Sequence, residues 1–217
     1  MEYYGLDELS EERNQMSIIK VKVSRKWEEK HPATRDLIGL NLILIDQYYK
    51  RIHCWVDRTL MKQYADLLCE GKIYSIDKFS VKAYTGTNRC FEMDHHIILL
   101  KSSLISKFDD HYTIVPPDIC MFVNLKNIHE LGNADSALID VVGMVCSVKQ
   151  EKNITTHSLE GRTYVDFKIT HFINKVKVRF WDDVGQEFYN SFSQATVLPA
   201  AIIIASAKLR RNNYTMP

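Results

Sequence analysis

The 217-residue sequence predicts an all-β protein of two tandem five-stranded barrels, each with a short helix between its third and fourth strands. Three observations predict it. Runs of alternating apolar and polar residues recur along the chain with the period of a strand. They fall in the order strand, strand, strand, helix, strand, strand, and that order occurs twice, with a repeat of roughly a hundred residues. Between the two occurrences stands TIVPPDICMF, whose adjacent Pro116 and Pro117 interrupt any regular element. The boundary placed there gives domains of residues 1–112 and 113–217.

Taken in order, residues 1–17 read as a solvated acidic lead-in with a short helix. IIKVKV is the first strand, with Ile19, Val21 and Val23 inward and Lys20 and Lys22 outward. LNLILID is a strand apolar enough to be buried on both faces. RIHCWV alternates again, Ile52, Cys54 and Val56 inward against Arg51, His53 and Trp55 outward. TLMKQYADLLCEG switches to the helical period, with Leu60, Tyr64, Leu67 and Leu68 on one side and Gly71 as its stop. KIYSIDKFSV and RCFEMDHHIILL complete the first set of strands.

The second set is LIDVVGMVCSV, RTYVDFKIT and KVKVRFW, then a helix in DDVGQEFYNSF, a strand in VLPAAIIIASAKL, and the start of one more at NYTM. In KVKVRFW the inward residues are Val176, Val178 and Phe180. The opposite face carries Lys175, Lys177, Arg179 and Trp181. An indole in line with three cations suits a surface that stacks a base and tracks a phosphate backbone.

Composition sets limits. With 46% hydrophobic and 25% charged residues the chain is an ordinary soluble globular protein, and its formal charge of +1 supplies no global field for nucleic acid or membrane. Any nucleic-acid site must be a local stripe. The five cysteines are scattered, with no CxxC pair, and read as reduced, mostly buried thiols of a nuclear or cytosolic protein. No basic n-region or apolar h-region opens the chain, and VLPAAIIIASA is about half the length of a membrane helix.

Periodicity supports two small β-barrels without choosing their type, although an oligonucleotide-binding (OB) barrel has this layout. The type is implied by a resemblance. KVSRKWEEKHPAT, LNLILID and EGKIYSIDKFSV in the first half, then FVNLKNIHELGN, LIDVVGMVCSV, KVKVRFWDDVGQEF and AIIIASAKL in the second, resemble the large subunit of replication protein A. In order and spacing they are similar to its first and second DNA-binding domains, closest to the plant-expanded group of large-subunit-like proteins. The resemblance spans about residues 16–217.

It implies OB folds that carry single-stranded DNA across strands two and three, gripped by the strand 1–2 and 4–5 loops. Two aromatics per domain would stack on bases while cations meet phosphates. Trp181 matches the stacking aromatic ending strand three of the second domain, and Lys208 a basic residue ending strand four. Asn212 stands near the second stacking position, with Tyr214 two further on, and Arg210 and Arg211 form a basic knob before it. In the first domain Asp57 holds the strand-three stacking position. Trp55 lies on the same face, and His53 stands where the family has an arginine. Phe91 matches the second stacking position, while Arg25, Lys26 and Trp27 open the strand 1–2 loop. The candidate contacts are therefore Arg25, Trp27, His53, Trp55, Lys82 and Phe91 in the first barrel, and Lys177, Arg179, Trp181, Lys208, Arg210 and Tyr214 in the second. The family's zinc-bearing third domain and its trimer-forming helix have no counterpart, so the chain reads as a fragment or a shortened relative, without implied trimer assembly.

Catalytic and metal readings are disfavoured. His95 and His96 are adjacent on a strand and face opposite sides. Asp182 and Asp183 open a helix, where acids suit the dipole, and Asp109, Asp110 and His111 fall in the linker. No phosphate loop, nucleophile elbow or metal-spaced cluster appears. The expectation is a non-enzymatic, cofactor-free nuclear protein of replication, repair or recombination. It would bind single-stranded DNA in one groove shared by both barrels, with weak sequence preference. RNA is a close variant of that partner. A protein-interaction module derived from a DNA-binding pair, including a homodimer, is the alternative, and no membrane partner is expected.

Overall fold

IIKVKV forms the first half of a 13-residue strand, β1 (Ile18–Lys30), and buries Ile19, Val21 and Val23 completely. The computed structural model describes residues 3–13, 17–31, 33–86, 89–91, 93–108, 120, 122–128, 131, 138–148, 152–154 and 162–209. The chain divides into two compact units, Met1–Ile119 and Cys120–Pro217.

In the first unit, β1 bends at register shifts between Val23 and Arg25 and between Glu29 and Lys30. The bend lets one strand serve two neighbours. Its first part pairs with β4 (Ile73–Asp77) and its remainder with β2 (Leu37–Ile45). Next comes β3 (Arg51–Asp57), antiparallel to β2. As its composition predicts, β2 is buried on both faces from Gly39 to Ile45.

KIYSIDKFSV is not one straight strand. It kinks at Lys78, whose φ is 56°, so that β5 (Ser80–Ala83) continues β4 after a two-residue break. The return limb is likewise split, into β6 (His95–Ile98) and β7 (Leu104–Phe108). Ser103 Oγ accepts from the Leu100 N–H and donates to the Lys78 carbonyl, tying the two kinks together. The sheet order is β5-β6-β3-β2-β1-β4-β7. Because β4 runs into β5, and β6 into β7, the paired strands at each end of that sheet, β5–β6 and β4–β7, are two halves of the same two chain segments, and the barrel closes. This is an OB barrel, its fourth and fifth strands each broken in the middle.

The helical insertion is shorter than its periodicity suggests: a 3₁₀ turn at Arg58–Leu60, then one α-turn, α1 (Met61–Tyr64). Tyr64 and Leu68 enter the core, whereas Leu67 is exposed, because so short a helix presents only a narrow stripe. Gly71, at φ 77°, then turns the chain into β4.

The acidic lead-in is not a solvated tail. Tyr4 bridges to Ile19, and Leu6 and Leu9 join the barrel core. Buried Asp46 secures the contact, its Oδ2 accepting from the Leu6 N–H at 2.9 Å. The charges of the lead-in lie on one side only: Asp7, Glu8, Glu11 and Glu12 are exposed while Leu6 and Leu9 cover an apolar barrel end. The cysteines also depart from expectation. Only Cys54 and Cys90 are buried, Cys120 is half-buried, and Cys69 and Cys146 are exposed.

The second unit comprises β8 (Leu138–Val148), the short β9 (Lys152–Ile154), β10 (Arg162–His171), β11 (Asn174–Trp181), α2 (Asp182–Ser193) and β12 (Ala201–Lys208). Its strand order is β11-β10-β8-β12, with β9 on β10. Leu125, Ile128, Val141, Val145, Phe167, Ile169 and Ile204 form the core. Phe188 of α2 stacks on Phe167 with centroids 4.2 Å apart. The first turn of α2 lies tight on the barrel: a Cβ at Gly185 would stand 3.0 Å from the Phe180 carbonyl oxygen. The strand expected at NYTM lies outside the described residues.

Candidate nucleic-acid interface

Strands β10 and β11 pair in register from Tyr164↔Trp181 to His171↔Asn174. Val165, Phe167 and Ile169 point into the core, so Tyr164, Asp166 and Lys168 share the outward face with Trp181, Arg179, Lys177 and Lys175. The Tyr164 and Trp181 rings lie 5.7 Å apart, tilted by 55°. Arg179 places its guanidinium 3.8 Å from the Tyr164 centroid and 5.4 Å from that of Trp181. The result is an aromatic pair with a cation layered on it, half-exposed, and with Lys168 and Lys175 on exposed flanks.

Asp166 was not anticipated as part of this site. Its Oδ1 accepts from Arg179 Nε at 2.7 Å and its Oδ2 from Arg179 Nη2 at 3.0 Å, with Lys177 Nζ also 3.0 Å from Oδ2. Burial works against its charge, but the hydrogen bonds from Arg179 and Lys177 outweigh burial and hold the carboxyl below its ordinary range. The same bond raises the Arg179 pKa. Lys177 and Arg179, expected to meet phosphate alone, are thus already paired with a carboxylate. The alternation of RTYVDFKIT carried the signal, since it sets Tyr164, Asp166 and Lys168 outward together. Lys208 is exposed at the end of β12, which ends the described sheet on the side away from β11. Arg210 and Tyr214, with Arg211 and Asn212, lie outside the described residues.

In the first unit the pairing aligns Trp27, Asn41 and Trp55 in one row across β1, β2 and β3. Trp27 is 40% exposed. Trp55 lies over Gly39, where a Cβ would come within 2.2 Å of the indole Cη2, so only glycine leaves it room. Arg25, half-buried, pairs with Ile43 in the next row, and Lys82 is exposed on β5 opposite His96. Lys26 does not face a ligand: its ammonium donates to the carbonyls of Ala65 and Leu68 at 2.9 and 3.0 Å. Asp57 accepts from the N–H and hydroxyl of Thr59, capping the 3₁₀ turn. That role accounts for an acid at the expected stacking position.

His53 and Phe91 were expected to face nucleic acid, and the structure brings them together against each other instead. His53 is 5% and Phe91 7% exposed, with their rings stacked at 5.8 Å and 18°. Tyr84 meets the His53 ring edge-on at 5.2 Å. His53 Nε2 is 2.8 Å from Asn41 Oδ1 and its Nδ1 3.1 Å from His96 Nδ1, while Asn41 donates to Glu29 Oε2 at 2.9 Å. Burial, then the neighbouring His96, pushes the His53 pKa down to about 4. Burial first, then Lys82 and His95, also lowers that of His96. Tyr84 and Phe91 therefore cover His53 on the outward face of β3. Alternation alone marks His53 as outward; it does not reveal that a distant loop folds over it. Among the described residues no three His, Cys, Asp or Glu side chains converge as metal ligands.

Comparison with known proteins places this geometry. The family model described as "Domain of unknown function DUF223" matches residues 11–128, more than half of the chain. A search of curated proteins returns no match. Among solved structures, a chain of a replication protein A heterotrimer bound to single-stranded DNA superposes with a TM-score of 0.66 at 20% identity, over 94% of this chain and 47% of that one. This chain thus spans about half the length of the one it matches. DNA-binding domain A of Saccharomyces cerevisiae replication protein A aligns at 21% identity over 51% of this chain and 97% of its own, with a TM-score of 0.41. At 20% identity the likeness to the heterotrimer chain is one of fold, a pair of OB domains.

Proposed function

This chain belongs to the DUF223 family, and we propose that it binds single-stranded nucleic acid, DNA in the first instance, on the β10–β11 face of its second unit, without catalysis. The carrying observation is the layered set Tyr164, Trp181 and Arg179, half-exposed and flanked by lysines. Aromatic faces accept any base, and the cations follow the backbone. The shared fold adds support, since the matching replication protein A chain comes from a complex with single-stranded DNA. On this reading the protein acts in the nucleus, in replication, repair or recombination. The basic–aromatic pair Arg25 and Trp27 supports kinship with the plant-expanded large-subunit-like group.

Fluorescence anisotropy with labelled dT strands of about ten and about thirty nucleotides, across a salt series, tests it. The expected result is length-dependent binding with a log–log salt slope on the order of −2 to −4. Trp181→Ala should cost ~1–3 kcal/mol of binding while the chain stays folded. No binding at low salt overturns the proposal.

A second reading applies to the first unit, where His53, Tyr84 and Phe91 fill the corresponding face. We infer that this unit contributes little to DNA binding and contacts a protein partner through its exposed Trp27 rim. Trp27→Ala should then leave dT affinity within about two-fold, a change of under ~0.5 kcal/mol; a larger loss places the first unit on the DNA.

A further inference from the structure

The β10–β11 hairpin turns through only two residues, Phe172 and Ile173, between the last pair His171↔Asn174. Both are almost wholly exposed, 87% and 90%. Phe172 also adopts φ 54°, the left-handed region where tight hairpin turns normally place glycine or asparagine. Two penalties therefore fall on one residue: a strained backbone for an aromatic side chain, and an apolar ring in water. The turn is nonetheless well held. Thr170 Oγ1 lies 3.0 Å from the carbonyl oxygens of both Phe172 and Asn174, and the Phe172 ring rests 4.4 Å from that of His171. A turn with no further role is served by Gly-Asn, with glycine at the one position of positive φ, at no cost in packing.

We propose that the Phe172–Ile173 tip is a wedge that inserts between bases of the strand bound on the β10–β11 face. The proposal rests on the nucleic-acid reading of that face and extends it. Charge and continuity choose this occupant. Exposed Lys175 stands in the second pair behind the tip and exposed Lys168 in the fourth, one on each strand, where phosphates leading up to an inserted side chain would lie. The same outward face runs back through Lys177 and Arg179 to Trp181, about 26 Å away at ~3.3 Å per residue. Apolar side chains pushed between base steps are a known way to hold unstacked nucleic acid. Two side chains are too small an apolar surface to keep a whole chain on a bilayer.

The test exploits the strain. In Phe172→Gly with Ile173→Asn, the turn takes residues its backbone favours, since only the first of its two positions has a positive φ, so the melting temperature should rise or hold. Affinity of the full chain for a labelled dT strand of about thirty nucleotides should nevertheless fall roughly ten-fold, comparable to losing one stacked base. Trp181→Ala and wild type are measured alongside. Unchanged affinity in the turn variant, with a loss in Trp181→Ala, overturns the wedge and leaves the face as a nucleic-acid site. No binding by wild type overturns both. Sedimentation of wild type, but not of the turn variant, with phosphatidylserine-containing vesicles, without any effect on dT binding, makes the tip a membrane contact and also overturns the wedge.

Discussion

Asp166 grips Arg179 through two hydrogen bonds, at 2.7 and 3.0 Å, and so lays its guanidinium 3.8 Å over the Tyr164 ring. The two residues are direct cross-strand partners, which makes the grip a property of the β10–β11 register. The carboxylate orients the cation and at the same time competes with any phosphate for it.

Removing that charge should therefore strengthen DNA binding. In Asp166→Asn, Arg179 and Lys177 lose their acidic partner but keep a neighbour of the same shape. Affinity for dT strands should rise several-fold at low salt, and the log–log salt slope should steepen by about 0.7, one additional phosphate contact on a single strand. A slope identical to wild type in anisotropy titrations would show that neither cation reaches phosphate.

His53 should make the first unit acid-sensitive. Its folded pKa, about 4, lies below the ordinary value of 6.5, so the unfolded chain binds the extra proton first. The stability this neutral histidine supports is present above pH 6.5 and is lost as pH falls from 6.5 towards 4, by up to about 3 kcal/mol. Melting curves between pH 7 and pH 4 should show a steeper decline for wild type than for His53→Phe. Parallel declines would remove His53 as the cause.

Leu6 tests whether the lead-in belongs to the first barrel. It is fully buried in that core, so Leu6→Ala should cost ~2–5 kcal/mol, read as a lowered denaturation midpoint. A cost of a few tenths would mean the segment merely rests on the surface.

Gly39→Ala probes the seat of Trp55. The new Cβ would press on the indole and stand 2.6 Å from the Val56 carbonyl oxygen, which is backbone and cannot step aside. Destabilisation of ~1–3 kcal/mol is expected, with tryptophan emission shifted to the red as the ring is displaced. Unchanged emission and midpoint would show that Trp55 has another place to lie.

Much of the fold was legible because strand alternation is local. Ile19, Val21, Val23, Ile52, Cys54 and Val56 are inward and fully buried, and Val176, Val178 and Phe180 pack against the second core. Less legible was anything that needs a second segment. Asp166 reaches Arg179 from 13 residues away, and only the register of two strands makes them neighbours. The kinks that split the fourth and fifth strands of the first barrel follow from closing a short barrel, which no window of sequence contains.

Legible from the residues alone are which side chains face inward, where the helices interrupt the strands, and that Trp181 shares a face with cations. Those are consequences of a two-residue period and of turn chemistry within a few positions. What the outward faces meet depends on how distant segments fold. On β11 the outward cations Lys175, Lys177 and Arg179 are exposed, with Asp166 holding Lys177 and Arg179 in place. On β3 the outward face meets Tyr84 and Phe91, so His53 is buried on a face that alternation marks as exposed. Alternation sets a side chain's direction, but burial depends on whichever distant segment folds across it.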